Sequence, residues 1–209
     1  MPITKRPVVK RQRRTPEAVR AAALQAARTL LLRLGPEAIT LQAMAKQLGM
    51  THGNLTHHFG SVGALHSALV DQMAAELATA VNHAVRQLRA EEVAPIQVVD
   101  ALFDAFSRNG AGRLISWLAA TGNMEALEPL FASVANLVSE LSRGTAQHGE
   151  DRQHSVRNNA LVLIATALGN ALIGDRLHQA VCLPAGTINR LSAEDLVQRT
   201  GSFAQRSAG

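Results

Sequence analysis

Between Thr40 and Leu65 the chain reads TLQAMAKQLGMTHGNLTHHFGSVGAL, and its punctuation fits two short helices, one tight turn and the start of a third helix. Thr40 is placed to cap a helix whose apolar positions Leu41, Met44, Ala45 and Leu48 recur at the spacing of one buried face. That helix has to stop at Gly49, because glycine accepts the left-handed conformation that ends helices. Thr51 then offers a hydroxyl to cap the next helix, expected over His52 to His58. A connection of about three residues matches helix-turn-helix geometry. In the second helix Leu55 and Phe59 lie four apart and pack inward, which leaves His52, Asn54, Thr56 and His57 pointing outward.

Upstream, Thr15 can cap, Pro16 suits a first helical position and Glu17 complements the positive end of the helix dipole. A first helix is therefore expected, with Val19, Ala23, Ala26, Ala27, Leu30 and Leu34 as its buried stripe. Downstream, Ser61 can cap a long amphipathic helix running to about Ala90, with Leu65, Leu69, Met73, Leu77, Val81 and Leu88 near one face.

Together these segments resemble the N-terminal domain of the TetR family of bacterial transcriptional repressors. The resemblance rests on the upstream helix RAAALQAARTLLLRLG with its terminal Gly35, on Thr40 and Ala45, and on Gly49, Thr51, Gly53, Leu55, His58 and Phe59. It covers residues 16 to 70 and implies a DNA-binding head on a helical body that takes a small effector and dimerises. Two positions depart from the family's pattern. Thr56 stands where the family usually has a tyrosine that touches the DNA backbone, and Val62 stands where it usually has a lysine. The backbone N–H groups that follow Ser61 can hold a phosphate without that lysine.

Charge is divided along the chain in the same sense. Residues 1 to 61 hold ten Lys or Arg against Glu17 and Glu37, a net of +8, while the remaining eleven basic and fourteen acidic residues leave the rest at −3. A localised positive end beside a helix-turn-helix suits a polyanion, since affinity for duplex DNA comes largely from releasing condensed counterions. Six of those cations lie in MPITKRPVVKRQRR, residues 1 to 14, which reads as a disordered basic arm. Such an arm either tracks phosphates or enters a minor groove, or it is a solvated tail contributing diffuse attraction.

For base reading the candidates are His52, Asn54 and His57, since Asn pairs bidentately with adenine and His donates to a purine acceptor. Thr51 and Thr56 suit phosphate oxygens or a thymine methyl, and Thr40, Gly53 and Ser61 belong to the same surface. Lys46 and Arg28 are candidates for the DNA backbone, with solvated surface charge as the alternative.

The rest of the chain excludes several classes. Apolar residues make up 47%, tyrosine is absent and aromatics reach only 3%, which argues against a sheet-rich fold. The reading is all-α: the arm at 1–14, a helix-turn-helix domain at 15–60, and a helical effector-binding and dimerisation body at 61–209. Pro95, the Asn109 to Gly112 and Gly122 to Met124 segments, Gly144 to Glu150 and Pro184 to Gly186 punctuate the body into helices near 96–108, 112–121, 125–143, 153–181 and 192–205. No apolar run is expected to span a membrane. Residues 1–14 lack the apolar core of a signal peptide, so the expected compartment is the cytoplasm.

The segment from Asn158 to Ala180 is apolar nearly all round and is expected to be buried on most faces. It either meets its counterpart in a second subunit, with the last helix (Leu191, Leu196, Phe203) completing a four-helix interface, or forms a core helix within one chain. Phe103, Phe106, Trp117, Met124 and Phe131 are candidates to line a pocket for a lipophilic effector, with Arg113 and His178 as polar anchors. Ordinary core is the alternative for each.

His178 and Cys182, four apart on an expected helix, offer a thiol beside an imidazole; the alternative is an inert buried cysteine. His148 with His154, and His57 with His58, lack companion ligands, so no metal, cofactor or catalytic group is expected. The expected function is a homodimeric DNA-binding regulator, a repressor released from a palindromic operator by a small molecule. The alternatives are a sequence-tolerant DNA-packaging protein and a thiol-based sensor or enzyme.

Overall fold

The computed structural model describes residues 15–143 and 150–206, the side chains of 150–153 and 200–206 excepted. The basic arm, His148 and the side chain of Phe203 lie outside what is described. Every regular element among the described residues is a helix, and none is a strand. The head comprises α1 (Pro16–Leu34), α2 (Leu41–Leu48) and α3 (His52–Phe59), with a single 3-10 turn, Pro36–Ala38, between α1 and α2. The body follows as α4 (Val62–Arg89), α5 (Pro95–Phe106), α6 (Ala111–Ala120), a 3-10 turn at Met124–Leu127, α7 (Glu128–Arg143), α8 (Glu150–Ala180) and α9 (Thr187–Arg206).

The capping chemistry read from the sequence is what starts these helices. Thr15, Thr40, Thr51 and Ser61 each accept a backbone N–H three residues on, from Ala18, Ala43, Asn54 and Ala64. Side chains at the last turn of α1 depart from the expected stripe. Leu31 is fully buried, whereas Leu34 is 66% exposed, because Gly35 ends the helix and turns the chain away before Leu34 meets a partner.

Two hydrophobic clusters hold the molecule. One joins the head to the body: Leu31, Met44, Leu55, Phe59, Leu65 and Leu69 pack with Leu114 and Leu118 of α6 and Leu127. The second lies wholly in the body, where Leu77 and Val81 of α4 meet Leu102, Phe103 and Phe106 of α5, Ala167 of α8 and Ala193 of α9. Helix α4 is thus common to both. Polar ties fix its far end: Asn82 donates to the Glu140 carboxylate at 3.3 Å, and Arg89 to the Leu141 carbonyl at 3.3 Å. Asn189 of α9 donates to Asp100 of α5 at 2.7 Å.

Helix α8 corrects two expectations. Within one chain it is not a core helix: Leu161, Val162, Leu172, Ile173 and Leu177 are exposed along it. Residues 154–180 are also long and apolar enough to cross a membrane by length and composition, contrary to the expectation that no run would be, and only 11% of that stretch is buried. Where α8 is covered, α6 comes very close. A Cβ at Gly112 would lie 2.7 Å from the Cβ of Ala171, so only glycine lets the two backbones approach this far.

Candidate functional site

The helix-turn-helix closes as its residue types require. Gly49 adopts the left-handed conformation (φ 63°, ψ 35°), and the Met50 N–H returns to the Ala45 carbonyl at 2.9 Å, which satisfies the end of α2 within the turn. Helix α3 is then held from beneath by Leu55, fully buried, and Phe59. Arg20 of α1 clamps its C-terminus: the guanidinium sits 4.8 Å from the Phe59 ring centroid and donates to the His58 carbonyl at 3.2 Å.

This packing leaves one polar face outward. His52, Gly53, Asn54 and His57 are all exposed on α3, and Lys46 is exposed on α2. Thr40, Thr51 and Ser61 stand at the N-termini of α2, α3 and α4, each with its side-chain oxygen engaged in the cap. Thr56 is half-buried and its hydroxyl donates to the His52 carbonyl at 2.9 Å, so its proton is committed to the helix. His58 is half-buried at the helix end, edge-on to His57 with centroids 6.0 Å apart.

Arg28 is not part of this face. Its guanidinium pairs with Glu76 of α4, and its side chain is only 19% exposed. Glu76 lies roughly 21 Å along α4 from Val62 at 1.5 Å per residue. The expectation of a DNA-backbone contact from Arg28 gives way to a strut between α1 and α4.

The seven pocket candidates are not brought together. Phe103 and Phe106 are core residues with 2% exposure, whereas Met124 and Phe131 are 47% and 48% exposed. Trp117 packs edge-on against His66 at 5.2 Å, and Arg113 is exposed near Gly35. His178 lines a surface groove between α8 and α9 with Ile173, Leu177 and Leu191. Phe106 alone of the seven borders a small cavity of about 70 Å³ beside Arg28 and Glu76.

A larger, partly open cavity, about 230 Å³, lies where α4, α5, α7, α8 and α9 converge. Val85, Leu102, Leu137, Val156, Leu163 and Leu196 are among its aliphatic walls, and apart from Arg89 and Asn159 every described lining residue is apolar. In the sequence these residues look like any other core; the one clue was the Asn158–Asn159 pair heading an apolar run.

Cys182 does not share a helix with His178. It follows the end of α8 in a left-handed conformation (φ 56°), exposed, while the Leu183 N–H caps the His178 carbonyl at 2.9 Å. The expected inert buried cysteine, and the alternative of a thiol–imidazole pair on one helix face, both fall. Among the described residues no group of three or more His, Cys, Asp or Glu is arranged to hold a metal ion.

Residues 23–69, which contain the body of α1, all of α2 and α3 and the start of α4, match the family model described as bacterial regulatory proteins, tetR family. The chain carries a TetR-family DNA-binding domain. No curated protein matches the chain. Among solved structures it is similar to the multidrug binding protein EbrR complexed with imidazole, at 18% identity over 86% of this chain and 93% of that one, with a TM-score of 0.58. It is also similar to the superantigen PfiT, at 18% identity over 88% of this chain and 97% of that one, with a TM-score of 0.56. At that identity the likeness speaks for the fold, a TetR-type head followed by helices, and two proteins so differently described share it.

Proposed function

We propose that this chain is a homodimeric transcriptional regulator that reads a palindromic operator in double-stranded DNA with α3, and a repressor released by a small molecule. The observation that carries the reading is the exposure of His52, Asn54 and His57 together on a helix clamped at both ends. Each of the three can hydrogen-bond a base edge. Thr51, Ser61 and Lys46 flank them and suit phosphates. The N-terminal basic arm supplies further cations that the face of α3 lacks. A domain boundary near residue 60 gives the head its own capped helices, while α4 carries its movements into the body.

Dimerisation is supported by the apolar surface of α8 and α9. Leu172, Ile173, Leu177, Val181, Leu183 and Leu191 are each about half exposed, between 48% and 59%. Such residues gathered along two neighbouring helices suit a four-helix interface with a second copy, and this same surface accounts for the hydropathy of α8 without a membrane. Two heads about 34–36 Å apart would then meet successive major grooves. A ligand in the cavity touches Val81, Val85 and Leu88 of α4, the helix whose other end packs under α3, so occupancy can alter head spacing. A regulator of this kind works where the chromosome is, in the cytoplasm.

Capture of sheared genomic DNA at near-physiological salt, followed by sequencing, tests the reading. Enrichment of a few palindromic sites supports it; retention of DNA without a shared motif favours sequence-tolerant packaging instead.

A further inference from the structure

We infer that the cavity between α4, α5, α7, α8 and α9 takes a medium-chain aliphatic molecule with an anionic head, the chain lying among the aliphatic walls and the head between Asn159 and Arg89. This names the class of the effector and so rests on the regulator reading above.

The size and lining select the chain. About 230 Å³ holds roughly eight water-sized groups at about 30 Å³ each. The described walls are Val, Leu, Ile, Ala and Pro with no aromatic ring among them, so they offer no stacking surface for a planar ligand and suit a saturated chain. The cavity follows α4 from Val81 to Arg89, about 12 Å at 1.5 Å per residue, which fits an elongated ligand better than a compact one.

The two polar residues select the head. Asn159 is only 8% exposed and lines the cavity. Its carboxamide can donate from Nδ2 to a ligand's oxygen. Arg89, at the end of α4, donates one N–H to the Leu141 carbonyl and keeps the rest of its fork for another acceptor. No Asp or Glu is among the described lining residues, and Arg89 would repel a cationic head. A carboxylate satisfies both residues at once.

Titration calorimetry of the full-length protein with octanoate, 1-octanol and octylammonium tests this directly. Octanoate is expected to bind saturably at one per chain and at least tenfold more tightly than octylammonium, with octanol between them. Arg89→Gln should remove the preference for octanoate over octanol, and Asn159→Leu should weaken both. Ala160→Leu, which enlarges a side chain that lines the cavity, should weaken all three. Octylammonium binding as well as octanoate, or no saturable binding by protein that still retains DNA, overturns the inference. Release of captured DNA is read separately: octanoate that binds but leaves DNA bound keeps the ligand class and contradicts the release mechanism.

Discussion

Nε2 of His66, on α4, lies 3.2 Å from the carbonyl oxygen of Ile39, the residue that leads into α2, and the imidazole is only 4% exposed. Because the partner is a carbonyl, the neutral ring donates its Nε2–H. The other side of the ring meets Trp117 of α6 edge-on, so one side chain joins the helix-turn-helix to the body. Burial pushes the His66 pKa down from 6.5, against a smaller upward pull from the Ile39 bond. The unfolded chain therefore binds the proton first as pH falls. Stability is expected to be full above about pH 6.5 and to fall below it, by up to about 1.4 kcal/mol per pH unit, until the folded-state pKa is passed. Denaturant melts of the wild type and His66→Leu between pH 7.5 and 5 check this. The variant should lose about 1–3 kcal/mol at pH 7.5, through the orphaned Ile39 carbonyl, and show a shallower pH slope.

Arg20 should matter to α3 without touching DNA. Its guanidinium covers Phe59 and caps the His58 carbonyl, so Arg20→Ala is expected to cost roughly 1 kcal/mol of stability. Arg20→Met, which keeps the stem over the ring, should recover about half of that in thermal melts.

Deleting residues 1–14 removes Lys5, Arg6, Lys10, Arg11, Arg13 and Arg14. If the arm neutralises phosphates, the slope of log K against log salt should become shallower by about 0.9 for each phosphate it no longer covers, up to about five in all. An unchanged slope in fluorescence anisotropy titrations would make the arm a bystander.

Gly112 is expected to tolerate nothing larger than a small shift. Gly112→Val would drive α6 from Ala171 of α8 and should lower stability by about 1–3 kcal/mol, with Gly112→Ala intermediate. The melting temperature of each variant reports this.

What the sequence made legible followed from local chemistry. Thr15, Thr40, Thr51 and Ser61 start helices because their hydroxyls have one good use there, and Gly49 ends one because few other residues accept its conformation, so the head could be read almost to the residue. The outward face of α3 was legible for the same reason: Leu55 and Phe59 leave it no other orientation. Arg28 was not, because its partner Glu76 is 48 residues away and a guanidinium looks the same whether it meets a phosphate or a carboxylate. Nor was the cavity, since a void is a mismatch among five helices and no single segment records it. The aromatic side chains expected to line it were drawn instead into the core, as with Phe103 and Phe106, or left at the surface, as with Phe131.

Whether α3 reads sequence is decided by comparing DNA captured by the wild type with that captured by Asn54→Ala/His57→Ala. Both side chains are exposed on the outer face of α3, so the double variant should fold with unchanged stability. It is expected to retain salt-sensitive binding while losing enrichment of the wild-type sites, at about 1–3 kcal/mol for each base contact removed. Enrichment of the same sites to the same degree would show that sequence is read elsewhere, or not by this helix.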